Sequence, residues 1–279
     1  MISRIYHYTT IDKLALILYS RKLRFSRLDM VDDVRESRTA NGITFGKYFF
    51  VSCWTHDSAE SIPLWQMYAN QTTGVRIALP VYPFQRKPAV APMAWKNVYI
   101  EDAPAGPLSL EELWGQSYMV LHPMKDENFA GEVHYVTNPQ ERYDTAITLA
   151  ANPDGSHELK LGRPFDLVRL KENVWAFQKE YRFALMATPC RPLPPDGPGS
   201  PEFIGSIGTV AINSLLQSVD LGINHIDVDL APDAFGEMVV TTGPLCTPGD
   251  RIIVQALLTA FAPNARVDAS ILSGAIRRV

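Results

Sequence analysis

Gln178, Glu180 and Arg182 occupy alternate positions around the start of a segment whose composition predicts a β-strand, residues 179–187. Because alternate residues of a strand share a face, these three side chains point the same way. A carboxylate such as Glu180 can stabilise positive charge that develops in a reaction. An arginine can hold a pyrophosphate through paired N–H donors. A solvated strand face with cross-strand ion pairs would show the same pattern, so both interpretations stay open.

His7 and Tyr68 are further candidates for a site. His7 lies in the segment 2–8, whose alternation predicts a strand, and its imidazole can donate or accept a hydrogen bond. Tyr68 follows Trp65 by three residues in a predicted helix, residues 61–70. Side chains at this spacing are neighbours on one helix face, so core packing accounts for them as readily as ligand binding does. His7 is likewise open to a purely structural interpretation at the end of a strand.

Asp32, Asp33 and Glu36 form an acidic cluster that could bind a metal ion. A hard cation needs several oxygens that converge in space, and no histidine lies at a ligand-like spacing from the cluster. The cluster therefore favours a solvated loop, no metal site is predicted, and a metal-dependent hydrolase is the least favoured function. Ser52 and Cys53 lie on a predicted strand without the pattern of a nucleophile elbow.

The elements that would position these residues do not alternate regularly between strand and helix. Strands are predicted at residues 2–8, 23–26, 48–55, 74–79, 131–135, 179–187, 206–212, 225–230, 238–242 and 266–271. Helices are predicted at residues 11–19, 61–70, 108–121, 138–151 and 248–261, with Thr9 or Thr10 capping the first and Thr247 the last. This pattern predicts an α+β fold with mixed, mostly antiparallel sheets and flanking helices.

Length and composition favour one globular unit. The chain has 279 residues, of which 46% are apolar and 20% charged, as is usual for globular proteins. We predict a single domain over residues 1–279. The proline-rich region 81–130 is a candidate insertion in it.

The net charge and the lack of export or membrane signals limit the classes of partner that the chain is expected to bind. The net charge of −4 argues against a general nucleic-acid binder, because such binding depends on neutralising phosphates. The N-terminus lacks a secretory apolar region, and no apolar run is long enough to span a membrane. The three cysteines form no CxxC pair. These features predict a cytoplasmic protein without a membrane partner.

Four blocks of the chain, taken together, resemble the bacterial family known as domain of unknown function 2971. They are IYHYTTIDKLALILYSRKLRFS, VDDVRE, VSCWTHDSAESIPLWQMYANQTTGVRIAL and VWAFQKEYRF. The tail, FGEMVVTTGP followed by a helix and DASIL, also fits. The chain departs from the family pattern at Val34, where a proline is usual, and at Gln178, where the family's Trp-x-x-Glu-x-Glu-Tyr-Arg motif has its first glutamate.

A more distant resemblance carries a function. The order His-Tyr-x-Thr on a first strand, a tyrosine after a middle strand and Gln-x-Glu on a late strand is similar to that of ADP-ribosyltransferases. The resemblance implies a split β-sandwich and NAD as substrate, with catalytic residues His7, Tyr68, Gln178 and Glu180. It also implies NAD contacts from a further set of side chains: His7, Thr9, Ser52, Tyr68, Arg76 and Arg182.

Two functions follow as expectations. The first is an NAD-dependent ADP-ribosyltransferase-like enzyme, a toxin or phage-defence effector, in which Glu180 supports the cation, Tyr68 the nicotinamide and His7 the ribose. Its partners would be NAD and an unknown acceptor, and nucleic acid could enter only as that acceptor. The alternative is a non-catalytic module that binds a nucleotide or a protein on the same polar face.

Overall fold

A ten-stranded sheet forms the centre of the protein. The structure, a computed structural model, describes residues 2–36, 39–98, 105–121, 125–151, 157–162 and 164–277. The first part of the chain contains β1 (Arg4–Thr9), α1 (Ile11–Ser20), β2 (Lys22–Arg27), β3 (Phe49–Thr55), α2 (Ile62–Tyr68) and β4 (Val75–Pro80).

The remaining elements follow in two groups. The middle of the chain contains β5 (Tyr118–Leu121), α3 (Asp126–Phe129), β6 (Ala130–Glu132), β7 (His134–Val136), α4 (Pro139–Ala146), β8 (Ile147–Ala151), β9 (His157–Leu161), α5 (Pro164–Leu167), β10 (Leu170–Glu172) and β11 (Glu180–Pro189). The last part contains α6 (Pro201–Leu216), β12 (His225–Asp229), α7 (Pro232–Gly236), β13 (Val239–Thr242), α8 (Pro248–Phe261) and β14 (Arg266–Ala269). Short 3-10 helices lie at Leu28–Met30, Gly46–Tyr48, Glu111–Leu113 and Asn173–Gln178.

Most strand pairs are antiparallel. The main sheet runs in the order β12-β2-β3-β1-β4-β13-β14, and β11 pairs with β3, β5 and β6. Within it the pair β13–β14 is parallel. Two further pairs stand apart from the main sheet, the parallel β7–β10 and the antiparallel β8–β9. The predicted α+β fold with mixed, mostly antiparallel sheets and flanking helices is therefore confirmed.

The sheet forks at β3. One edge of β3 pairs with β11 from Thr55 to Phe49. The other edge is shared by two strands, because β2 pairs with it at Phe50 and Val51 and β1 pairs with it at Thr55. Between these two pairings β1 and β2 diverge, and α1 connects them. This fork places the ends of β1, β2 and β11 around a common space.

Local capping residues determine where α1 and α8 begin. Thr10 is the N-cap of α1 and accepts a hydrogen bond from the Lys13 backbone at 3.4 Å, and Arg21 ends the helix in a left-handed conformation at φ 57°. Thr247 and Asp250 form a reciprocal capping box at the start of α8. These two helices match their predicted positions because their capping residues are next to them in the sequence.

Two element predictions were wrong. The predicted strand 206–212 lies inside α6, whose N-cap is Ser200 and whose first residue is Pro201. Its Ile, Val and Gly content suggested a strand, but the cap and the proline are the stronger local signals. The predicted helix 108–121 is a 3-10 turn followed by β5, because the backbone of β5 pairs with β11. The predicted helix 138–151 ends earlier, at Ala146.

The candidate insertion contributes to the main core. Phe84 is buried among Phe25, Phe129 and Phe183. Lys87 pairs with both Glu112 and Asp229, which ties this region to β12. Residues 99–104 and 122–124 of the candidate insertion lie outside the described residues. Among the described helices, none has the length and apolar character that crossing a membrane requires.

We predict that Gly74→Ala is strongly destabilising, since a Cβ there would collide with the Thr9 carbonyl oxygen and lie 2.9 Å from Ala69 Cα. Overpacking of this kind costs about 1–3 kcal/mol. Gly205→Ala is the matched control: it lies in α6 with no atom near the added Cβ, so it should stabilise by about 0.5–1 kcal/mol. Chemical denaturation measures both changes. Equal free energies of unfolding for the two variants would contradict the prediction.

Candidate functional site

An open cavity of about 600 Å³ lies in the fork at β3. Binding pockets for small molecules commonly have volumes of about 300–1,000 Å³. All the predicted site residues except Arg76 line it: His7, Thr9, Ser52, Tyr68, Gln178, Glu180 and Arg182. The fold therefore brings residues from β1, β3, α2 and β11 to one place.

His7 is held by the neighbouring strand. Its Nδ1 lies 3.0 Å from the Cys53 carbonyl oxygen, and its ring lies 5.0 Å from the Trp54 ring between centroids. A carbonyl oxygen can only accept, so Nδ1 carries the proton. Burial lowers the pKa of His7, against the opposing effect of this hydrogen bond. The neutral ring therefore keeps Nε2 as an acceptor.

Tyr68 lies in a chain of three polar side chains. Its hydroxyl donates to Asp32 and accepts a hydrogen bond of 2.8 Å from Gln178 Nε2. Burial raises the pKa of Tyr68, and the hydrogen bond to Asp32 adds to the shift, so the phenol stays protonated. Gln178 is 5% exposed, and its Oε1 is a buried acceptor without a partner in the described residues. The amide therefore has an acceptor that is not used within the described residues.

Glu180 belongs to a buried cluster of four charges, which we call the charge quartet: Glu36, Lys171, Glu180 and Arg182. They are exposed by 2%, 2%, 4% and 0% respectively. Arg182 Nε and Nη2 lie 2.7 and 2.6 Å from Glu180 Oε1, and Nη2 lies 3.1 Å from Glu36 Oε1. Lys171 Nζ lies 3.3 Å from Glu180 Oε2 and 3.8 Å from Glu36 Oε2. The quartet is formally neutral.

The two glutamates of the quartet differ in acidity. Burial raises the pKa of Glu36, and attraction to Arg182 and Lys171 only partly offsets it. Burial also acts to raise the pKa of Glu180, but Arg182 and Lys171 outweigh it, so the net shift is downward. The neighbouring Cys53 thiol also contributes to lowering the pKa of Glu180. Glu180 is therefore the ionised carboxylate at the cavity wall.

Gln178, Glu180 and Arg182 are all buried, and Gln178 lies in the 3-10 helix before β11, so the interpretation of this row as a solvated strand face is wrong. Burial also removes Arg182 from the candidates for pyrophosphate binding. Besides its contacts with the quartet, its Nη1 donates to the Val168 carbonyl at 2.6 Å, and this leaves no side of the guanidinium for a ligand. Arg76 does not line the cavity, because it lies 4.7 Å from the Tyr6 ring and donates to the Ser58 carbonyl.

The acidic cluster predicted from sequence is divided among different partners. Asp32 accepts from Tyr68, Asp33 accepts from the Arg35 backbone, and Glu36 pairs with Arg182. Within the described part of the chain, no three His, Cys, Asp or Glu side chains converge as metal ligands. The geometry of these carboxylates therefore does not suit a metal-dependent hydrolase.

Several cavity-lining residues were not site candidates in the sequence analysis, among them Lys13, Cys53 and Lys171. Lys13 lies on α1 and pairs with no carboxylate in the described ranges. Its place on an exposed helix face at the fork could have been read from helical periodicity. No local signal marks Lys171, because its partners are Glu36 and Glu180, far away in sequence or on another strand.

Comparison with known proteins yielded no relative. No protein-family model matches the chain, and neither a characterised protein nor a solved structure matches it. The resemblances described from the sequence motifs therefore stay predictions, and the function is inferred from the site.

We predict that Arg182→Met destabilises the protein by about 3–5 kcal/mol, because it leaves two buried carboxylates with one cation. The matched control is Arg24→Met, which removes an exposed bidentate pair with Asp227 and should cost less than about 1 kcal/mol. Urea unfolding at neutral pH measures both. A small and equal loss in the two variants would contradict the buried quartet.

We predict that His7 titrates below the ordinary histidine pKa of about 6.5. Since burial lowers the pKa of His7, the folded protein takes up this proton less readily than the unfolded chain. Its stabilising contribution is complete above the ordinary value and is lost as pH falls through the folded value. NMR of ¹⁵N-labelled histidine should show the Nδ1–H tautomer and a low midpoint. An Nε2–H tautomer would contradict the assigned hydrogen bond.

Proposed function

We propose that the cavity binds NAD and that this protein is an ADP-ribosyltransferase-like enzyme. One observation carries the proposal: His7, Tyr68 and the pair Gln178 and Glu180, from three distant parts of the chain, all line a single cavity. These are the four residues that the motif order assigns to such a site. The fork at β3 supports a split β-sandwich as the finer description of the fold.

The proposed reaction breaks the bond between the ribose C1′ and the nicotinamide nitrogen. The bonding electron pair leaves with nicotinamide, whose ring thereby loses its positive charge. The sugar passes through an oxocarbenium-like state, as in glycoside hydrolysis. The nucleophile of an acceptor then bonds to C1′ and releases its proton to solvent. A carboxylate close to C1′ stabilises the transition state, and Glu180 is the ionised carboxylate on the wall.

The other residues supply binding and orientation. The free acceptor of His7, Nε2, suits a ribose hydroxyl donor. The Tyr68 ring offers a face for nicotinamide, and its hydroxyl is anchored by Asp32. Gln178, anchored in turn on Tyr68, would orient the acceptor nucleophile. Lys13 at the rim replaces Arg76 and Arg182 as the proposed pyrophosphate contact, while Thr9 and Ser52 complete the wall.

A second candidate function is a module that binds a nucleotide without turnover. The observation that favours it is the double pairing of Glu180, whose Oε1 accepts from Arg182 and whose Oε2 accepts from Lys171. A carboxylate shared between two cations has less charge to offer a developing cation. Both candidates use the same cavity, and turnover separates them.

We predict that Glu180→Gln lowers nicotinamide release from labelled NAD by at least about 100-fold, a loss typical of removing one group that stabilises transition-state charge. Glu36→Gln is the matched control, because it removes an equally buried carboxylate from the same quartet but does not line the cavity. Both variants should lose about 3–5 kcal/mol of stability. Only Glu180→Gln should lose the activity of the folded fraction.

The wild-type result decides between the candidates. A rise in melting temperature with NAD, without nicotinamide release, would establish the binding module. Saturating ligand at a hundred times its dissociation constant stabilises by about 2.7 kcal/mol, which a melting curve resolves. Neither release nor a shifted melting temperature would contradict both uses of NAD. Equal activity of the two variants would show that Glu180 is not catalytic.

A further inference from the structure

Lys171 is the member of the charge quartet whose position is hardest to explain by packing alone. It lies on β10, outside the ten-stranded sheet, and reaches the cavity wall with 2% of its surface exposed. A lysine carries a strongly hydrated charge, and burying it without compensation is costly. A structural role alone would be met by an apolar side chain of the same length.

The contacts of Lys171 are concentrated on Glu180. Its Nζ lies 3.3 Å from Glu180 Oε2 and 3.8 Å from Glu36 Oε2, with the Trp175 ring centroid 4.8 Å away. Arg182 contacts the opposite oxygen of Glu180, Oε1. Lys171 is thus the cation on the Oε2 side of the Glu180 carboxylate.

Counting charges shows what Lys171 adds. Without it, two buried carboxylates would share the single cation Arg182. Two carboxylates in one site cannot both stay ionised easily, so one of them would bind a proton. Arg182 contacts both glutamates but lies nearer to Glu180, at 2.6 Å against 3.1 Å for Glu36, so it favours the ionised form of Glu180. Lys171 is likewise nearer to Glu180 than to Glu36, at 3.3 Å against 3.8 Å, so it is the second cation that favours the ionised form of Glu180.

Four titratable groups around the quartet come from separate elements and are uncharged. They are Cys53 on β3, Tyr68 on α2, Tyr135 on β7 and Tyr143 on α4, and burial raises the pKa of each. Two further carboxylates lie nearby in the loop before Glu36. Asp32 binds the Tyr68 hydroxyl, and Asp33 accepts from the Arg35 backbone. Both carboxylates add negative charge beside the quartet, and Lys171 is a cation that balances negative charge there.

We infer that Lys171 is a positioning residue that keeps Glu180 ionised and fixed at the cavity wall. As a statement about catalysis, this inference rests on the proposed function. As a statement about charge, it concerns the folded protein alone. Two kinds of measurement can therefore be kept apart.

The first test is thermal stability against pH for Lys171→Met, a variant of similar length without charge. The melting temperature should fall by on the order of 10 °C at about pH 8. The unbalanced carboxylate has a raised pKa, so its stabilising protonation is lost as pH rises. The deficit should therefore shrink by at least about half at about pH 5. Lys179→Met, which removes an exposed pair with Asp57, should show a small deficit.

The double variant Lys171→Met with Glu36→Gln separates charge from packing. It removes one charge of each sign and leaves the neutral pair Glu180–Arg182. The melting temperature should recover most of the loss, and the dependence of the deficit on pH should disappear. A deficit that is the same at every pH and is not rescued by Glu36→Gln would overturn the inference, because it would reflect lost packing.

The second test uses NAD turnover against pH. In Lys171→Met the acid limb of kcat/KM should move upward by at least about one pH unit, since Glu180 must lose a proton before it acts. The double variant should move it back. An unchanged acid limb in an active enzyme would overturn the catalytic part of the inference and leave the proposed function standing. Wild-type protein that neither binds nor cleaves NAD would end the proposed function, while the melting series would still decide the role of Lys171.

Discussion

The fully buried Arg182 guanidinium joins three separate parts of the chain. It binds Glu180 on its own strand, Glu36 in the loop after β2, and the Val168 carbonyl before β10. A guanidinium presents five donors in a fixed plane, so its partners must arrive in a fixed geometry. Removing Arg182 would leave the buried carboxylates of Glu180 and Glu36 without this partner. The position of the acidic loop and of β10 beside the main sheet thus depends on this one side chain.

The fork at β3 turns that arrangement into a cavity. Because β1 and β2 share one edge of β3 at opposite ends, the sheet opens between them instead of closing into continuous ladders. The strand ends then face a common space, with α1 across its side. His7 reaches this space from β1 and Tyr68 from α2, while Lys171, Glu180 and Arg182 of the charge quartet form another part of its wall. An opening in a rigid sheet holds such groups more firmly than loops would.

The ion pairs of Glu180 with Arg182 and Lys171 connect the proposed chemistry with the fold. A carboxylate buried alone would bind a proton. A carboxylate between two cations stays ionised, but the cations partly cancel its electrostatic field. The contacts with Lys171 and Arg182 therefore keep Glu180 ionised, and they also reduce the electrostatic stabilisation that it can give to a developing cation.

The sequence by itself determined the features that depend on neighbours in the chain, such as the caps of α1 and α8, the alternation on β11 and the α+β class. It also identified His7, Tyr68, Gln178 and Glu180 as candidates. Tertiary structure decided what covers each face. Alternation shows that Glu180 and Arg182 point the same way, but only the arrival of Glu36 and Lys171 from distant segments makes that face a buried quartet. Pairing with β11 likewise turned a predicted helix into β5, because hydrogen bonds to a distant strand outweigh weak local propensity.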